Sequence, residues 1–261
     1  MLASGWTEAV ALAAAFAIAV VTTPAGVSGA VLLLPFQVSV LGTPSPAVTP
    51  TNLLYNVVAT PGALYRYWRQ GQRGGRLAAV LAAGTLPGVV AGSVIRVELL
   101  PGAEVFEFVI ATVLLPLGTW LALDWGRTAA SGPPRLPQVT VALIAAVVGC
   151  VGGLYGIGGG SILAPILIAD GRPPAEVAPA ALSSTFLTSV AGVVTFTLLS
   201  IHHPGSIAPD WPTGVALGAG GLAGGYTGAR LQHRLPDRAI RRILGLIVMA
   251  IGARYLWAAL G

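Results

Sequence analysis

The side chains of this chain that could bind a solute are small, neutral and placed beside helix-breaking residues. They fall in two stretches: Ser28, Gly29, Thr49, Asn52, Tyr55 and Asn56 in the first, and Gly158, Gly159, Gly160, Ser161, Ser183, Ser184 and Thr185 in the second. Hydroxyl and amide donors suit the oxygen atoms of an oxyanion. Small residues also pack helices together in membranes, which is the alternative for any single serine or threonine. For the group as a whole, at repeat-related positions, we favour a binding site.

The two stretches are copies of one pattern. Residues 26–35 read GVSGAVLLLP, and residues 156–165 read GIGGGSILAP. A further block, VTPTNLLYN at 48–56, matches VAPAALSST at 177–185 after a one-residue gap. Both copies interrupt long apolar stretches with glycine. Matching helix breaks in the two halves of a membrane protein indicate a transport site between the halves.

The composition is that of a protein embedded in a membrane. Hydrophobic residues make up 55% of the chain and charged residues 9%, whereas a soluble domain carries about 25% charged residues. All 14 basic residues are arginines, and most of them flank apolar segments. A nucleic-acid partner would need a basic folded surface, which this pattern does not provide. We therefore expect the lipid bilayer to be the main partner.

Ten apolar segments follow one another along the chain, five in each half, at about 9–22, 27–41, 51–65, 77–95, 105–123, 139–155, 160–169, 180–200, 212–229 and 243–260. The polar, proline-rich linker 124–138 separates a first repeat, 1–123, from a second, 139–261. The first two segments of each half are short for a full span, as broken or re-entrant helices are. The expected fold is an all-α polytopic membrane protein with about 8–10 membrane-embedded helical segments.

Charge predicts how the two halves are inserted. Arginines cluster at 66–76, 127–135 and 230–242, and three glutamates lie within 98–107. Under the positive-inside rule the arginine clusters are cytoplasmic. The bias is reversed between corresponding loops of the two halves, so we expect inverted-topology repeats with both termini outside. The apolar N-terminal stretch lacks the positive region of a signal peptide, and we expect it to be retained.

Helix-start signals lie beside the breaks. Thr49-Pro50 is typical of an N-cap followed by proline and would open 51–65, and Pro179 would open 180–200 in the same way. With the glycine turns, this predicts two helix N-termini per half within apolar sequence. Their partial positive charge and free N–H groups favour an anion. Arg66, at the end of 51–65, is either a loop-edge topology residue or part of the cytoplasmic entrance.

Other kinds of site find little support in the sequence. No Asp, Glu or Lys lies in the middle of a predicted span, which disfavours a cation pump. Cys150 is the only cysteine, and adjacent His202 and His203 have no carboxylate or cysteine to complete a metal site. We expect neither a metal nor another cofactor.

These motifs resemble the TauE/SafE family of sulfite exporters. The family signature GxGGGxxxxP is present as GIGGGSILAP at 156–165, in a degraded form at 26–35, and is followed by VAPAALSSTFLTSVAGVVTF at 177–196. In the first copy Ser28 and Ala30 replace glycines, so a hydroxyl could act there. The resemblance implies a permease in a bacterial-type inner membrane, not an enzyme, that exports sulfite or a related sulfur oxyanion or sulfonate. We also consider a homodimer.

Two alternatives stay open. A carboxylate or another anion could be the solute, because the resemblance gives a substrate class only. Alternatively, Gly26-Val27-Ser28-Gly29 resembles the GxSG of intramembrane serine proteases. Such an enzyme needs a histidine within the membrane to activate the serine, and His202, His203 and His233 all fall in predicted loops.

Overall fold

The computed structural model describes residues 2–25, 28–69, 71–72, 74–100, 102–123, 136–203, 207–231 and 237–260. These residues form ten α-helices and no strand: α1 (Leu2–Ala25), α2 (Ala30–Phe36), α3 (Val48–Arg69), α4 (Gly75–Glu98), α5 (Ala103–Leu123), α6 (Gln138–Tyr155), α7 (Gly160–Ala169), α8 (Pro174–His202), α9 (Trp211–Leu231) and α10 (Asp237–Leu260). A turn of π-helix, Gln37–Leu41, continues α2. The all-α prediction is confirmed.

Within the described chain, six helices are long and apolar enough to cross a membrane: α1, α4, α5, α6, α8 and α10. Two shorter apolar helices, Ala30–Leu41 and Gly160–Ala169, are the interrupted segments expected from the sequence. Helix α3 falls outside the six because its first half carries threonine and asparagine side chains, which are buried inside the protein. The protein is therefore a polytopic membrane protein.

The helix breaks lie where the glycines predicted them. Helix α6 ends at Tyr155, the following Gly156 has a φ of +88°, and Gly158 and Gly159 also have positive φ. A positive φ strains any residue with a Cβ, so glycine permits this turn. In the first half α1 ends at Ala25 and the next helix begins at Ala30, while Gly26 and residues 124–135 of the linker lie outside the described residues.

The predicted helix starts at Thr49-Pro50 and Pro179 are wrong. Helix α3 begins at Val48, so Thr49 lies inside its first turn, and the Thr49 hydroxyl donates to the carbonyl of Leu154 at 3.1 Å. Helix α8 begins at Pro174, which places Pro179 inside the helix. Proline fits the first turn of a helix because its missing N–H needs no partner there. In α8 the earlier proline starts the helix.

Two stripes of glycine bring helices of opposite halves into backbone contact. The stripe on α4 lies against carbonyl oxygens of α6, and the stripe on α9 lies against those of α1. The contacts are Gly84, Gly88 and Gly92 with Ala142, Ala146 and Cys150, and Gly220, Gly224 and Gly228 with Leu12, Phe16 and Val20. A Cβ added at any of these six glycines would lie 2.1 to 2.6 Å from such an oxygen.

Under the sequence repeat α1 corresponds to α6 and α4 to α9, so the two glycine contacts are counterparts of each other. Helices α3 and α8 pack against each other and against α9 and α4 respectively, and α5 packs against α10. Each of these contacts joins one half to the other. The opposite insertion of the halves stays a prediction from the arginine pattern.

Candidate functional site

The two helix breaks meet. The backbone N–H of Ser28, in the first break, donates to the hydroxyl oxygen of Ser161 in the first turn of α7, at 3.3 Å. The hydroxyl of Tyr155, just before the second break, donates to the carbonyl oxygen of Val31 at 3.0 Å. Residues that are far apart in sequence therefore form one polar cluster between the halves.

Asn52 on α3 fixes both breaks at once. Its amide nitrogen donates to the carbonyl oxygens of Ala30, at 2.9 Å, and of Gly156, at 3.2 Å. Its amide oxygen accepts from Gln37 at 3.2 Å. The side chain is fully buried. The carbonyl of Gly156 follows the end of α6 and needs a donor of this kind inside a membrane, whereas the carbonyl of Ala30 lies in the first turn of α2 and receives a second donor.

Asn56, one turn further along α3, extends the same contact. Its amide nitrogen donates to Gly156 at 3.3 Å, and its amide oxygen accepts from the hydroxyl of Ser28 at 3.3 Å. Both asparagines therefore hold the turn before α7, and Asn56 also orients the serine of the first break.

A hydroxyl group caps each helix that starts at a break. The Ser28 hydroxyl accepts from the N–H of Ala30 at 3.3 Å, and the Thr185 hydroxyl accepts from the N–H of Gly160 at 3.0 Å. N–H groups at a helix start lack partners within the helix and attract negative groups. The hydroxyl oxygen of Thr185 keeps its own hydrogen free to donate to a further acceptor.

Glycine is needed at both breaks because neighbouring side chains leave no room for a Cβ. A Cβ on Gly29 would lie 2.5 Å from the hydroxyl oxygen of Tyr55. A Cβ on Gly158 would lie 2.7 Å from a methyl carbon of Thr185 and 2.8 Å from the hydroxyl oxygen of Ser189. Tyr55 thus lies against the first break, and Thr185 and Ser189 against the second.

Two buried hydroxyl groups beside the breaks have no hydrogen-bond partner. Thr22 and Ser189 are both fully buried, and neither hydroxyl oxygen is paired. The Thr22 hydroxyl lies 3.6 Å from the Cβ position of Gly29, and that of Ser189 lies beside Gly158. An unpaired buried polar group costs about 1–3 kcal/mol. One such group from each half flanks the cluster.

Some predicted residues lie away from the breaks. The Ser183 hydroxyl donates to Pro179 of its own helix at 2.8 Å. The Ser184 hydroxyl lies 2.9 Å from that of Thr85, which also accepts from Thr188 at 2.8 Å. Ser184 therefore belongs to a buried hydroxyl cluster between α4 and α8. Arg66 is exposed in the last turn of α3.

Sequence reasoning missed Thr22, Gln37, Thr85 and Ser189. Thr22 precedes the first break by one turn, and Ser189 follows Thr185 by one turn, so helical spacing from the recognised residues was the available signal. The cluster as a whole is neutral. Among the described residues, no group of three His, Cys, Asp or Glu side chains could hold a metal ion.

Comparisons with known proteins agree with this architecture. A sequence model described as "Sulfite exporter TauE/SafE" matches residues 11–255. The chain is 28% identical over 255 residues to the "Probable membrane transporter protein y4hK" of Sinorhizobium fredii, covering 96% of this chain and 99% of that protein. No solved structure matches.

Two further relatives match over part of their length. The "Probable membrane transporter protein YunE" of Bacillus subtilis is 33% identical over 115 residues, which is 44% of this chain and 40% of that protein. A "Probable membrane transporter protein" of Xylella fastidiosa is 32% identical over 116 residues, or 44% of this chain and 42% of that protein. The alignments thus span less than half of either relative.

Proposed function

Because this chain belongs to the sulfite exporter TauE/SafE family of membrane transporters, we propose that it exports sulfite or a related sulfur oxyanion or sulfonate. The observation that carries the proposal is the meeting of the two helix breaks, where the Ser28 N–H lies 3.3 Å from the Ser161 hydroxyl. In transporters built from two repeats, broken helices at the repeat interface bind the solute.

The solute we propose is an anion because the groups around the breaks are donors. The hydroxyls of Thr22 and Ser189 are buried without partners, and helix starts contribute partial positive charge. Neither a carboxylate nor a cation appears among the cluster's contacts described above. Cation carriers usually keep an intramembrane carboxylate. A neutral, donor-lined site suits a small oxyanion, whose oxygens accept from several directions.

The residues of the cluster divide into two roles. Thr22, Ser161, Thr185 and Ser189 have hydroxyl hydrogens that can turn toward a bound oxyanion. Asn52 and Asn56 use their amides on backbone carbonyls and on Ser28, so we assign them to positioning the breaks. Tyr55 closes the first break through its contact with Gly29.

In transport, the two halves would move relative to each other around the site. We propose that the halves are inserted in opposite directions in the inner membrane with both termini outside, and that they expose the breaks alternately to each side. The arginine-rich loops would then be cytoplasmic, and exposed Arg66 would be at the entrance for a cytoplasmic anion. The glycine contacts between α4 and α6 and between α9 and α1 are the surfaces across which the halves would move.

The membrane potential can drive export without a buried carboxylate. Moving one negative charge outward through an inside-negative potential releases about 2.3 kcal/mol per 100 mV. That energy sustains about a fifty-fold outward gradient of a monoanion. A proton gradient is the second energy source that the proposal admits.

The other functions suggested by the sequence have weaker support. The Ser28 hydroxyl donates to Asn56 and accepts from the N–H of Ala30, so within the described residues no histidine is hydrogen-bonded to it. His203 Nε2 lies 2.9 Å from Glu98 Oε1, and His233 lies outside the described residues. A carboxylate has the same acceptor chemistry as a sulfur oxyanion. It is therefore a competitor to include in the transport test.

The test is efflux of ³⁵S-labelled sulfite from proteoliposomes, with potential and pH gradients imposed independently. We expect protein-dependent efflux that accelerates with an inside-negative potential or responds to the pH gradient, and that unlabelled sulfonates inhibit. Protein-free liposomes give the leak. Efflux that ignores both gradients would contradict the proposed coupling. Absence of sulfite and sulfonate flux, with acetate transported instead, would contradict the proposed substrate.

A further inference from the structure

The bulkiest fully buried side chain among the described residues is an arginine. Arg96, near the C-terminal end of α4, has no solvent exposure. Burying a guanidinium destabilises a protein unless a compensating group accompanies it. Within the side chains that the structure describes, no carboxylate forms a salt bridge with it. An ionisable residue held this way in a membrane protein indicates a functional site.

The contacts of Arg96 leave part of its hydrogen-bonding capacity unused. Its Nη1 donates to the carbonyl oxygen of Leu100, and its Nη2 donates to the hydroxyl of Ser45. The guanidinium lies over the ring of Phe106, 3.9 Å from the centroid. Its Nε is buried and has no hydrogen-bond partner.

The unused donor lies on the edge that recognises oxyanions. Nε and Nη2 point along the same side of a guanidinium and together form a two-pronged donor for a carboxylate or another oxyanion. In Arg96 the Ser45 hydroxyl accepts from one prong only. A hydroxyl both donates and accepts, so Ser45 can turn to donate to an anion that takes both prongs.

The chain connects this edge to the central cluster. Ser45 lies in the loop between the π-helical turn that ends at Leu41 and the start of α3 at Val48. That loop joins the two segments that carry Gln37 and Asn52, which are hydrogen-bonded to each other. The start of α3 thus connects the Arg96 edge to the helix breaks along the chain.

We propose that Arg96 and Ser45 form a second anion-binding site, on the path between the helix breaks and the membrane surface at the C-terminal end of α4. The site takes a sulfur oxyanion or sulfonate through Nε and Nη2, with the Ser45 hydroxyl as a third donor. As an exit site, this assignment rests on the proposed function. As a binding site, it can be tested without transport.

The test is equilibrium binding of ³⁵S-labelled sulfite to the purified full-length protein. We expect two classes of site in the wild type. Arg96→Lys keeps the positive charge but removes the paired Nε and Nη2 donors, and Ser45→Ala removes the third donor. Each should weaken one class, by about tenfold for Arg96→Lys, which corresponds to about 1.4 kcal/mol. The other class should stay unchanged. Arg254→Gln, at an exposed arginine of α10, is the control and should affect neither class.

The outcomes separate this site from the proposed function. If both Arg96→Lys and Ser45→Ala lower thermal stability but bind sulfite in the wild-type manner, Arg96 has a structural role only and the proposal is overturned. A single class of site in the wild type also overturns it. If the wild type shows the Arg96-dependent class but no sulfite flux in proteoliposomes, the binding site stands and the proposed transport of sulfite fails.

Discussion

The side-chain amide of Asn52 donates to the carbonyl oxygen of Gly156 at 3.2 Å and so joins α3 of the first half to the turn that opens α7 in the second. The same amide also donates to Ala30 at the start of α2. The carbonyl of Gly156, just after the end of α6, finds no water inside a bilayer, so the protein has to supply its donor. One residue thus supports both breaks of the molecule.

Replacing Asn52 with leucine should destabilise the protein strongly. Leucine has a similar volume but removes three buried hydrogen bonds, to the carbonyls of Ala30 and Gly156 and from the amide of Gln37, and Gly156 keeps its bond from Asn56. Each lost bond contributes about 1 kcal/mol and the Gln37 amide loses its acceptor, so we expect a loss of about 2–4 kcal/mol in unfolding free energy, measured in detergent. Gln138→Leu, the same kind of change at an exposed amide, should change stability little. Equal effects of the two substitutions would refute a positioning role for Asn52.

Removing the unpartnered hydroxyls should not destabilise the protein. Thr22→Val and Ser189→Ala delete buried oxygens that have no hydrogen-bond partner, so unfolding free energy should stay equal or rise by about 1 kcal/mol. Thr188→Val is the matched control, because its hydroxyl donates to Thr85 at 2.8 Å. That variant should lose about 1 kcal/mol. Thermal unfolding of the three variants measures the contrast, and comparable losses at Thr22 and Thr188 would be inconsistent with an unpaired Thr22.

Alanine at Gly158 should disrupt the second break. Gly158 and Gly42 both have positive φ, +68° and +63°, but only at Gly158 would a Cβ meet other atoms, at 2.7 Å from Thr185. Gly42→Ala therefore carries the backbone strain alone, about 1–2 kcal/mol. Gly158→Ala adds a clash and should lower the sulfite flux in proteoliposomes as well as stability. Similar flux and stability in the two variants would show that space around Gly158 is not needed.

Neighbouring glycines of α9 should respond differently to alanine. A Cβ on Gly224 would lie 2.3 Å from the carbonyl oxygen of Phe16, whereas on Gly225 its nearest neighbour would be 3.5 Å away. Helix propensity alone favours alanine by about 1 kcal/mol at either position. We expect Gly225→Ala to be neutral or stabilising and Gly224→Ala to cost about 1–3 kcal/mol through overpacking. Thermal unfolding distinguishes them, and a stabilising Gly224→Ala would contradict the close contact of α1 and α9.

The sequence predicted the features that local residue patterns determine. The apolar segments and the glycines at 156–160 placed the helices and the second break correctly, since four of these five residues are glycines, which favour a break. Glycine pairs alone do not end a helix, as Gly220-Gly221 inside α9 shows. The prolines gave wrong helix starts at 49–50 and 179. Pro50 is the third residue of α3, and proline fits any position of the first helical turn. Pro179 is the sixth residue of α8 and lies beyond its first turn, so there the local pattern gave no reliable start.

Features that depend on tertiary contacts were not predictable. Thr22 and Ser189 are two hydroxyls among many, and their lack of a partner follows from how α1, α3 and α8 surround them. Arg96 directly follows the predicted segment 77–95, where an arginine has the pattern of an ordinary loop-edge residue. Its burial under Ser45 and against Phe106 depends on the loop before α3 folding back over the end of α4.

We propose that one anion binds where the breaks of the two halves meet. The decisive measurement is the binding of ³⁵S-labelled sulfite to purified wild type, Thr22→Val, Ser189→Ala and the double variant. Each substitution removes one donor from a different half, so we predict that each single variant binds the central site several-fold more weakly and that the double variant is weaker still. Unchanged affinity in either single variant, with the protein folded, would contradict a site shared by the two halves.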